Sequence, residues 1–312
     1  MNYDPAKYPK CTVPQTEVTR LKGLGFLRDK TTADCFNVRV ITANGKITSE
    51  EMNAISEAAQ KFGDGEIAMT VRLTCEIQRV PYEKAEALIA FLKERGLETG
   101  GTGAKVRPVV SCKGTTCQYG LIDTFALSKK LHTLFYEGYR GVALPHKFKI
   151  AVGGCPNNCV KPDLNDIGIV GQRTPVPMPE LCRGCNACVK ECPIHSASLV
   201  EKKFVRDDKT CNNCGRCVKV CPFHAIDCVD GYKIYIGGRW GKRVAQGRAL
   251  SVLLHSEEEV VKTVKKAILF FKANGNKGER FADVIARIGF EETEKILLSD
   301  ELLVRKEEIL AL

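Results

Sequence analysis

Two copies of one cysteine pattern constrain this chain more than any other feature of its sequence. Residues 182–193 read CRGCNACVKECP and residues 211–222 read CNNCGRCVKVCP, so the pattern C-x₂-C-x₂-C-x₃-C-P occurs twice. Thiolates at this spacing typically hold a pair of [4Fe–4S] clusters, and the fourth cysteine of each run ligates the other cluster. The two runs therefore predict a small domain folded around two clusters.

The crossed pattern assigns four cysteines to each predicted cluster. The first cluster would be held by Cys182, Cys185, Cys188 and Cys221. The second would be held by Cys192, Cys211, Cys214 and Cys217. A pair of four-cysteine zinc sites is the alternative, but zinc needs neither the crossed spacing nor the proline that follows each run.

The total of 16 cysteines in 312 residues also bears on the compartment. In the reducing cytosol such a number favours metal or cluster ligation over disulfides. The first ten residues, MNYDPAKYPK, lack the apolar core of a secretory signal, and no stretch approaches the roughly 18 apolar residues of a membrane helix. We therefore expect a cytoplasmic protein without a membrane span, rather than a secreted disulfide scaffold.

The formal net charge of +10 raises the question of nucleic-acid binding. The basic residues are not interleaved with aromatic ones, and anionic prosthetic groups offer another explanation. A [4Fe–4S] cluster with its four thiolates carries about −2 overall, so several clusters would offset much of the positive charge. We therefore expect anionic cofactors and no nucleic-acid partner.

Turn residues and hydrophobic periodicity divide the chain and predict the α+β class. Thr48 or Ser49 would cap a helix that runs to about Lys61, and the sequence GGTGAK at 100–105 is interpreted as a hinge. The predicted domains are an N-terminal arm at 1–34, a β-α-β unit at 35–100, an α/β domain formed by 101–170 and 237–312, and a cysteine-rich insert at 171–236.

Four further cysteines form a second constellation. SCKGTTC contains Cys112 and Cys117, and GGCPNNC contains Cys155 and Cys159. Two cysteine pairs from distant loops can converge on one [4Fe–4S] cluster, and buried structural thiols are the alternative; the spacing alone leaves both open. The remaining cysteines match no ligand pattern and are interpreted as buried apolar residues: Cys11, Cys35, Cys75 and Cys228.

These loops carry a resemblance to a known family. GGCPNNCVKPDLNDIGIVG at 153–171, together with VRPVVSCKGTTC at 106–117, resembles the core that binds sirohaem and a [4Fe–4S] cluster in sulfite and nitrite reductases. With its cysteine-rich insert, the chain is most similar to the catalytic C subunits of anaerobic sulfite reductases. The resemblance covers about residues 35–312. It implies a ferredoxin-like β-α-β unit, a sirohaem and [4Fe–4S] domain, and an inserted bacterial two-cluster ferredoxin domain.

The resemblance also implies site residues. Cys112, Cys117, Cys155 and Cys159 would hold a third [4Fe–4S] cluster, and the Cys159 thiolate would bridge that cluster to the sirohaem iron. The family lines the substrate face of sirohaem with two arginines and two lysines, and the matching motifs imply Arg72, Arg107, Lys147 and Lys149. Further positions that resemble sirohaem contacts are Arg39, Gly237, Gly238 and Arg239.

The two lysines also have a physical argument of their own. Lys147 and Lys149 alternate on a predicted strand, so their side chains would share one face. Two cations on a mostly buried face repel each other unless an anion lies between them. Sulfite is such an anion, and the sirohaem of the family carries carboxylates. A solvated strand face is the alternative.

The resemblance implies a six-electron reduction of sulfite to sulfide, with electrons passing from the two ferredoxin-type clusters to the cluster coupled to sirohaem. Ammonia-forming nitrite reduction on the same scaffold is one alternative, and a non-catalytic iron–sulfur electron carrier is another. The implied electron donors are flavin and iron–sulfur subunits or a free ferredoxin. A homodimer with composite sites and a monomer that builds the site alone both fit the sequence.

Overall fold

The computed structural model describes residues 10–312, and these form two compact units. The first unit contains residues 10–110, Ser128–Lys149 and Asn274–Arg280. The second contains Ser111–Leu127, Ile150–Ala273 and Phe281–Leu312. Each unit combines helices with a β-sheet, which confirms the predicted α+β class.

The first unit is built on a four-stranded antiparallel sheet. Its strands are β1 (Phe26–Arg28), β2 (Cys35–Val40), β3 (Ile67–Met69) and β4 (Cys75–Pro81), in the spatial order β1-β2-β4-β3. Its helices include α1 (Gln15–Gly23), α2 (Ser49–Phe62) and α3 (Ala85–Glu94). Phe36 and Ile77 of the sheet are fully buried together with Ile55 and Leu88 of the helices. The apolar faces of these helices and of the sheet thus form one core.

The N-terminal arm predicted at 1–34 is wrong for residues 15–28. Residues 1–9 lie outside the described part of the chain. Strand β1 pairs with β2, and both Leu21 of α1 and Phe26 of β1 are fully buried in the core. Helix α1 buries only Leu21, and β1 is three residues long, so neither element is long or apolar enough for a period to be visible in the sequence.

Helix α2 begins where the sequence predicts it. The hydroxyl oxygen of Thr48 accepts a hydrogen bond from the Glu51 amide at 3.1 Å, and a Glu51 carboxylate oxygen accepts one from the Thr48 amide at 2.7 Å. This reciprocal pair is a capping box, and it satisfies two backbone donors that the first turn of a helix leaves without partners.

Replacing Thr48 by alanine is expected to destabilise the first unit by about 1 kcal/mol, because the cap hydrogen bond to the Glu51 amide is lost. The neighbouring variant Ser49→Ala is the control, since the Ser49 hydroxyl donates a hydrogen bond to the exposed carboxylate of Glu50 and caps no backbone amide among the described residues. Urea unfolding followed by circular dichroism measures both. Equal losses in the two variants would contradict the role of the cap.

The second unit is built on a five-stranded sheet. Its strands are β5 (Val110–Ser111), β6 (Ile150–Gly153), β7 (Ile167–Pro177), β10 (Ile226–Ile236) and β11 (Arg248–Leu254), in the spatial order β11-β10-β7-β6-β5. Strands β6 and β7 are parallel, whereas β10 is antiparallel to both β7 and β11. The long central pair β7–β10 carries the cysteine-rich insert at its end.

The insert is shorter than predicted, because the chain leaves the sheet at a later residue and rejoins it at an earlier one. Because β7 and β10 pair along their whole lengths, from Ile167 with Ile236 to Pro177 with Ile226, the excursion from the sheet comprises residues 178–225 rather than 171–236. It contains the hairpin of β8 (Ala197–Val200) and β9 (Lys203–Arg206), and the short helices α5 (Ala187–Glu191) and α6 (Arg216–Val220).

The remaining helices are α4, which a π-helical turn over His132–Glu137 extends, and a C-terminal group. They span α4 (Thr124–Leu131), α7 (Glu257–Asn274), α8 (Phe281–Ile288), α9 (Phe290–Leu298), α10 (Glu301–Val304) and α11 (Lys306–Ala311). The rings of Phe270 and Phe271 on α7 meet Phe281 on α8 edge to face. Within residues 10–312, no helix has the length and apolar character needed to cross a bilayer.

Candidate functional site

Arg72 and Arg107 lie on neighbouring segments of the first unit. Arg72 sits in the turn between β3 and β4, and its guanidinium donates a hydrogen bond to the Pro108 carbonyl at 2.7 Å. The Arg107 guanidinium donates to the Gly101 carbonyl. Both arginines are partly buried. The hydrogen bond to Pro108 ties Arg72 to the residue that follows Arg107.

Lys147 and Lys149 lie on the next segment of the same unit. The backbone amide of Arg107 donates to the Phe148 carbonyl at 2.8 Å, and Val106 and Phe148 form a parallel bridge. The strand predicted here starts later, at Ile150, but the alternation holds: Phe148 is fully buried and the two lysines are partly exposed. The lysines therefore share one face, and hydrogen bonds connect the segments that carry all four predicted cations.

Arg39 is held inside the sheet of the first unit. It lies on β2 directly opposite Glu76 on β4, and its Nε is 3.1 Å from a carboxylate oxygen of Glu76. Both side chains are partly buried. The charge of Arg39 is therefore balanced within the sheet.

The two cysteine loops of the second constellation lie against each other in the second unit. The Cys112 amide donates to the Val152 carbonyl at 3.1 Å, and the Cys112 sulfur accepts from the Gly154 amide at 3.1 Å. A Cβ on Gly154 would lie 2.8 Å from the Gly114 Cα. Glycine is required where the loops cross, because any side chain would separate the two cysteine pairs.

The four sulfurs of this constellation influence one another. Burial raises the pKa of the Cys155 thiol, and the nearby Cys112, Cys159 and Cys117 raise it further by repulsion between thiolates. Thiolates crowded in this way are stabilised when a cationic metal centre binds them. The donor set therefore fits an iron–sulfur cluster.

The cysteines of the insert surround two cavities. One cavity is lined by Cys182, Cys185, Cys188 and Cys221. The other is lined by Cys192, Cys211, Cys214 and Cys217. Each cavity thus combines cysteines of both runs in the crossed pattern.

Burial raises the pKa of thiols in both of these sets: it raises the pKa of Cys217 to about 12, and it also raises the pKa of Cys188. In the part of the chain that the structure describes, no group of three or more His, Cys, Asp or Glu side chains is arranged to bind a single metal ion. Each set borders a cavity instead, and a four-iron cluster with thiolates at its corners suits such an arrangement.

The other cysteines differ in exposure. Cys35 and Cys75 are buried, as the sequence predicts. Cys11 and Cys228 are partly exposed, so their interpretation as buried apolar residues is wrong. Cys228 lies on β10 opposite the buried Pro175 of β7.

The turn after β10 holds the remaining predicted residues. Gly237 has a left-handed φ of +80° and its amide donates to the Asp166 carbonyl at 2.9 Å. A Cβ on Gly238 would overlap the carbonyl oxygens of Asp163 and Asn165. The Arg239 guanidinium lies 2.8 Å from both carboxylate oxygens of Asp283. The turn is thus packed closely on the segment that follows Cys159.

Replacing Gly238 by alanine is expected to destabilise the second unit by about 1–3 kcal/mol, because the added methyl group has no space beside the two backbone carbonyls. Gly141→Ala is the control, since nothing lies within 4 Å of a Cβ at that exposed position. Urea unfolding of both variants measures the effect. An unchanged midpoint for Gly238→Ala would contradict the close packing of this turn.

Sequence analysis missed a polar cavity beside the Cys155–Cys159 loop. The buried carboxylate of Asp163 accepts hydrogen bonds from the side-chain amides of Asn158 at 2.7 Å and Gln246 at 3.0 Å. These three residues line a cavity of 220 Å³ together with Gln172, which is only 2 % exposed. Asp163 follows Cys159 closely in the sequence, whereas nothing local marks Gln172 or Gln246.

Two protein-family models match this chain. A model of the "Nitrite and sulphite reductase 4Fe-4S domain" matches residues 102–304. A model of the "Nitrite/Sulfite reductase ferredoxin-like half domain" matches residues 28–95. The second match begins at Arg28, the last residue of β1.

Individual relatives point the same way. The chain is 36 % identical over 245 residues to the coenzyme F420-dependent sulfite reductase of Methanocaldococcus jannaschii, covering 77 % of this chain and 38 % of that protein. It is 29 % identical over 181 residues to the anaerobic sulfite reductase C subunit of Salmonella typhimurium, covering 53 % and 52 %. The chain thus spans about half or less of the length of these two curated relatives.

A crystal structure of dissimilatory sulfite reductase I superposes with a TM-score of 0.68 at 20 % identity, covering 84 % of this chain and 69 % of that chain. At this identity the match shows a common fold. The 4Fe–4S domain model alone spans more than half of the residues, and the half-domain model precedes it. The chain therefore belongs to the nitrite and sulfite reductase family, as its cysteine and basic motifs predict.

Proposed function

We propose that this chain is the catalytic part of a sulfite reductase, which converts sulfite to sulfide with six electrons and six protons and releases three waters. The observation that carries the proposal is the arrangement of Arg72, Arg107, Lys147 and Lys149 on hydrogen-bonded segments of the first unit. Four cations held in this way match a small oxyanion that is to lose its oxygens as water.

The cysteines provide the proposed cofactor sites. Cys112, Cys117, Cys155 and Cys159 would hold one cluster, with Cys159 also reaching the sirohaem iron, and the two crossed sets of the insert would hold two more. Arg39, Gly237, Gly238 and Arg239 are proposed to lie at the sirohaem. When bound, sirohaem and its coupled cluster supply an iron that takes the sulfur of sulfite and a route for single electrons.

The arginines are proposed to bind and orient the substrate. Their guanidinium groups offer several N–H donors, and charge-assisted hydrogen bonds to anionic oxygens are stronger than neutral ones. The hydrogen bonds from Arg72 to Pro108 and from Arg107 to Gly101 fix the side chains before substrate arrives. Donors fixed in advance need no reorganisation as charge develops on the departing oxygens.

The lysines are proposed to supply protons. Each of the three S–O bonds that break leaves its bonding electron pair with the oxygen, which takes up two protons and departs as water, while two of the six supplied electrons stay on sulfur. The ammonium groups of Lys147 and Lys149 carry three donor hydrogens each, and their partly buried face lies along the segment that Arg107 contacts. They can give protons to an adjacent oxygen and regain them from solvent.

The proposed partners follow from the need for six electrons for each sulfite that is reduced. Flavin and iron–sulfur subunits, or a free ferredoxin, would deliver electrons one at a time to the insert. A homodimer with composite sites is the assembly proposed from the family resemblance, and light scattering of active protein tests it. A monomeric active species would contradict that assembly without affecting the proposed reaction.

Anaerobically purified holoprotein with reduced methyl viologen as donor tests the reaction. We expect sulfide from sulfite at a higher kcat/KM than ammonia from nitrite, a sirohaem absorption band in the red, and about thirteen irons per chain from three four-iron clusters and one sirohaem. A preference for nitrite would assign nitrite reduction instead. Protein with no red band and no more than about eight irons would be an electron carrier.

A further inference from the structure

The two cluster sites of the insert have different surroundings although their sequences repeat. We define the first-run site as the four cysteines Cys182, Cys185, Cys188 and Cys221, and the second-run site as Cys192, Cys211, Cys214 and Cys217. Cys185 and Asn186 of the first run are exposed, whereas the matching Cys214 is partly exposed and Gly215 is buried. A neighbouring segment therefore covers the second run.

Gly215 identifies that neighbour. Asn186 and Gly215 occupy the same position in the two runs and have nearly the same left-handed φ, +67° and +69°. Backbone conformation therefore does not explain the glycine, because asparagine adopts it in the first run. A Cβ on Gly215 would lie 2.6 Å from the side chain of Arg173 on β7. Glycine is required there because β7 crosses the second run.

Strand β7 also touches the Cys155 loop. The Arg173 amide donates to the Asn213 carbonyl at 2.8 Å, so β7 is hydrogen-bonded to the second run. Two residues earlier, a Cβ on Gly171 would lie 2.7 Å from the Gly154 carbonyl oxygen. A short stretch of one strand thus connects the second-run site with the loop that carries Cys155.

A side-chain contact makes a second connection. The Arg216 guanidinium lies over the ring of Tyr119, 4.7 Å from its centroid. Tyr119 follows Cys117 by two residues, and Arg216 lies between Cys214 and Cys217. The residue of the first run that corresponds to Arg216 is Ala187, whose methyl group cannot make such a contact.

Two cavities border the same contact. A cavity of 720 Å³ is lined by Cys155 and Asn157 on one side and by Cys214 and Arg216 on the other. The smaller polar cavity of 220 Å³ is lined by both Asn158 and Asn212. Among the residues that the structure describes, no ligand of the first-run site lines either cavity.

We infer that the second-run site is the inner step of the electron path, next to the Cys112–Cys159 cluster site, and that the first-run site is the outer step, which receives electrons from a one-electron donor protein. This order deepens the proposed function and rests on it. The donor loses one electron for each electron that the first-run site gains, and no bond forms or breaks in these transfers.

Electron paramagnetic resonance of the dithionite-reduced holoprotein tests the order. Magnetic interaction between reduced clusters falls steeply with distance, so the neighbour of the Cys112–Cys159 cluster dominates its spectrum. We expect Cys214→Ser to change or abolish this interaction and Cys185→Ser to leave it intact, even if either variant loses its cluster. The inference would be overturned if Cys185→Ser changed the magnetic interaction and Cys214→Ser did not. It would also be overturned if both variants changed the interaction equally or if neither changed it.

A matched arginine pair provides a kinetic test. We expect Arg216→Ala to slow the arrival of electrons at the sirohaem several-fold in stopped-flow absorbance, with unchanged iron content. Arg183→Ala, at an exposed position of the first run, should leave the rate with dithionite unchanged. Equal rates of electron arrival in the two variants would show that the contact of Arg216 with Tyr119 does not assist electron transfer. The magnetic measurement does not depend on sulfite turnover, so failure of the order and failure of the proposed reaction give different results.

Discussion

Replacing Lys147 and Lys149 together by methionine is expected to lower kcat for sulfite reduction by about a thousandfold, because positioned proton donors contribute on the order of 10²–10⁴. Methionine keeps an unbranched apolar stem but has no ammonium group. The backbone bridge of Phe148 to Val106 does not depend on either lysine side chain. The double variant should therefore fold and retain its absorption spectrum, and sulfide release under steady-state conditions measures the loss.

Lys105→Met is the matched control for this experiment. Lys105 is exposed, and only its backbone carbonyl takes part in the segment, as acceptor for the Phe148 amide at 3.0 Å. We expect the control to keep nearly full activity. Full activity in the double variant, or an equal loss in the control, would show that the face of Lys147 and Lys149 does not supply protons to the substrate.

Replacing Cys155 by alanine is expected to abolish sulfite reduction. Cys155 is a proposed ligand of the cluster that shares Cys159 with sirohaem, so its loss should remove the cluster and the sirohaem together. Iron content should then fall from about thirteen to about eight per chain, the number held by the two sites of the insert. Colorimetric iron analysis, the red absorption band and sulfide production measure the three effects.

Cys228→Ala is the matched control for the cysteine experiment. Cys228 is a partly exposed thiol on β10 that lines neither of the two cysteine cavities of the insert. Its variant should keep all of its iron and its activity. Retention of the red band by Cys155→Ala would remove Cys155 from the cluster, whereas iron loss in the control would indicate general damage to the second unit.

Features fixed by short stretches of sequence could be predicted. The cap at Thr48 depends on residues three apart, and the crossed cysteine sets follow from the spacing within two runs and the prolines after them. The alternation around Phe148 also holds although β6 begins only at Ile150. The cap and the alternation depend on a single turn or strand, and each crossed set depends on two copies of one short repeat.

Features that depend on contacts between distant segments could not be predicted. Phe26 is buried on β1, which pairs with β2, and Leu21 of α1 is buried in the same core. The contact of Tyr119 with Arg216 joins residues almost a hundred positions apart, and nothing in the sequence around either residue marks the other as its partner. The difference between Asn186 and Gly215 is visible in the sequence, but its cause, the approach of Arg173, is not.

The unbroken pairing of β7 with β10 has a mechanical consequence. Each strand has 11 residues, and the ribbon they form is continuous with the main sheet at one end and with the insert at the other. Such a double-stranded stalk resists bending far more than a single flexible linker does. The proposed electron transfer from the insert therefore requires no swinging of a tethered carrier, and its rate should not vary with solvent viscosity.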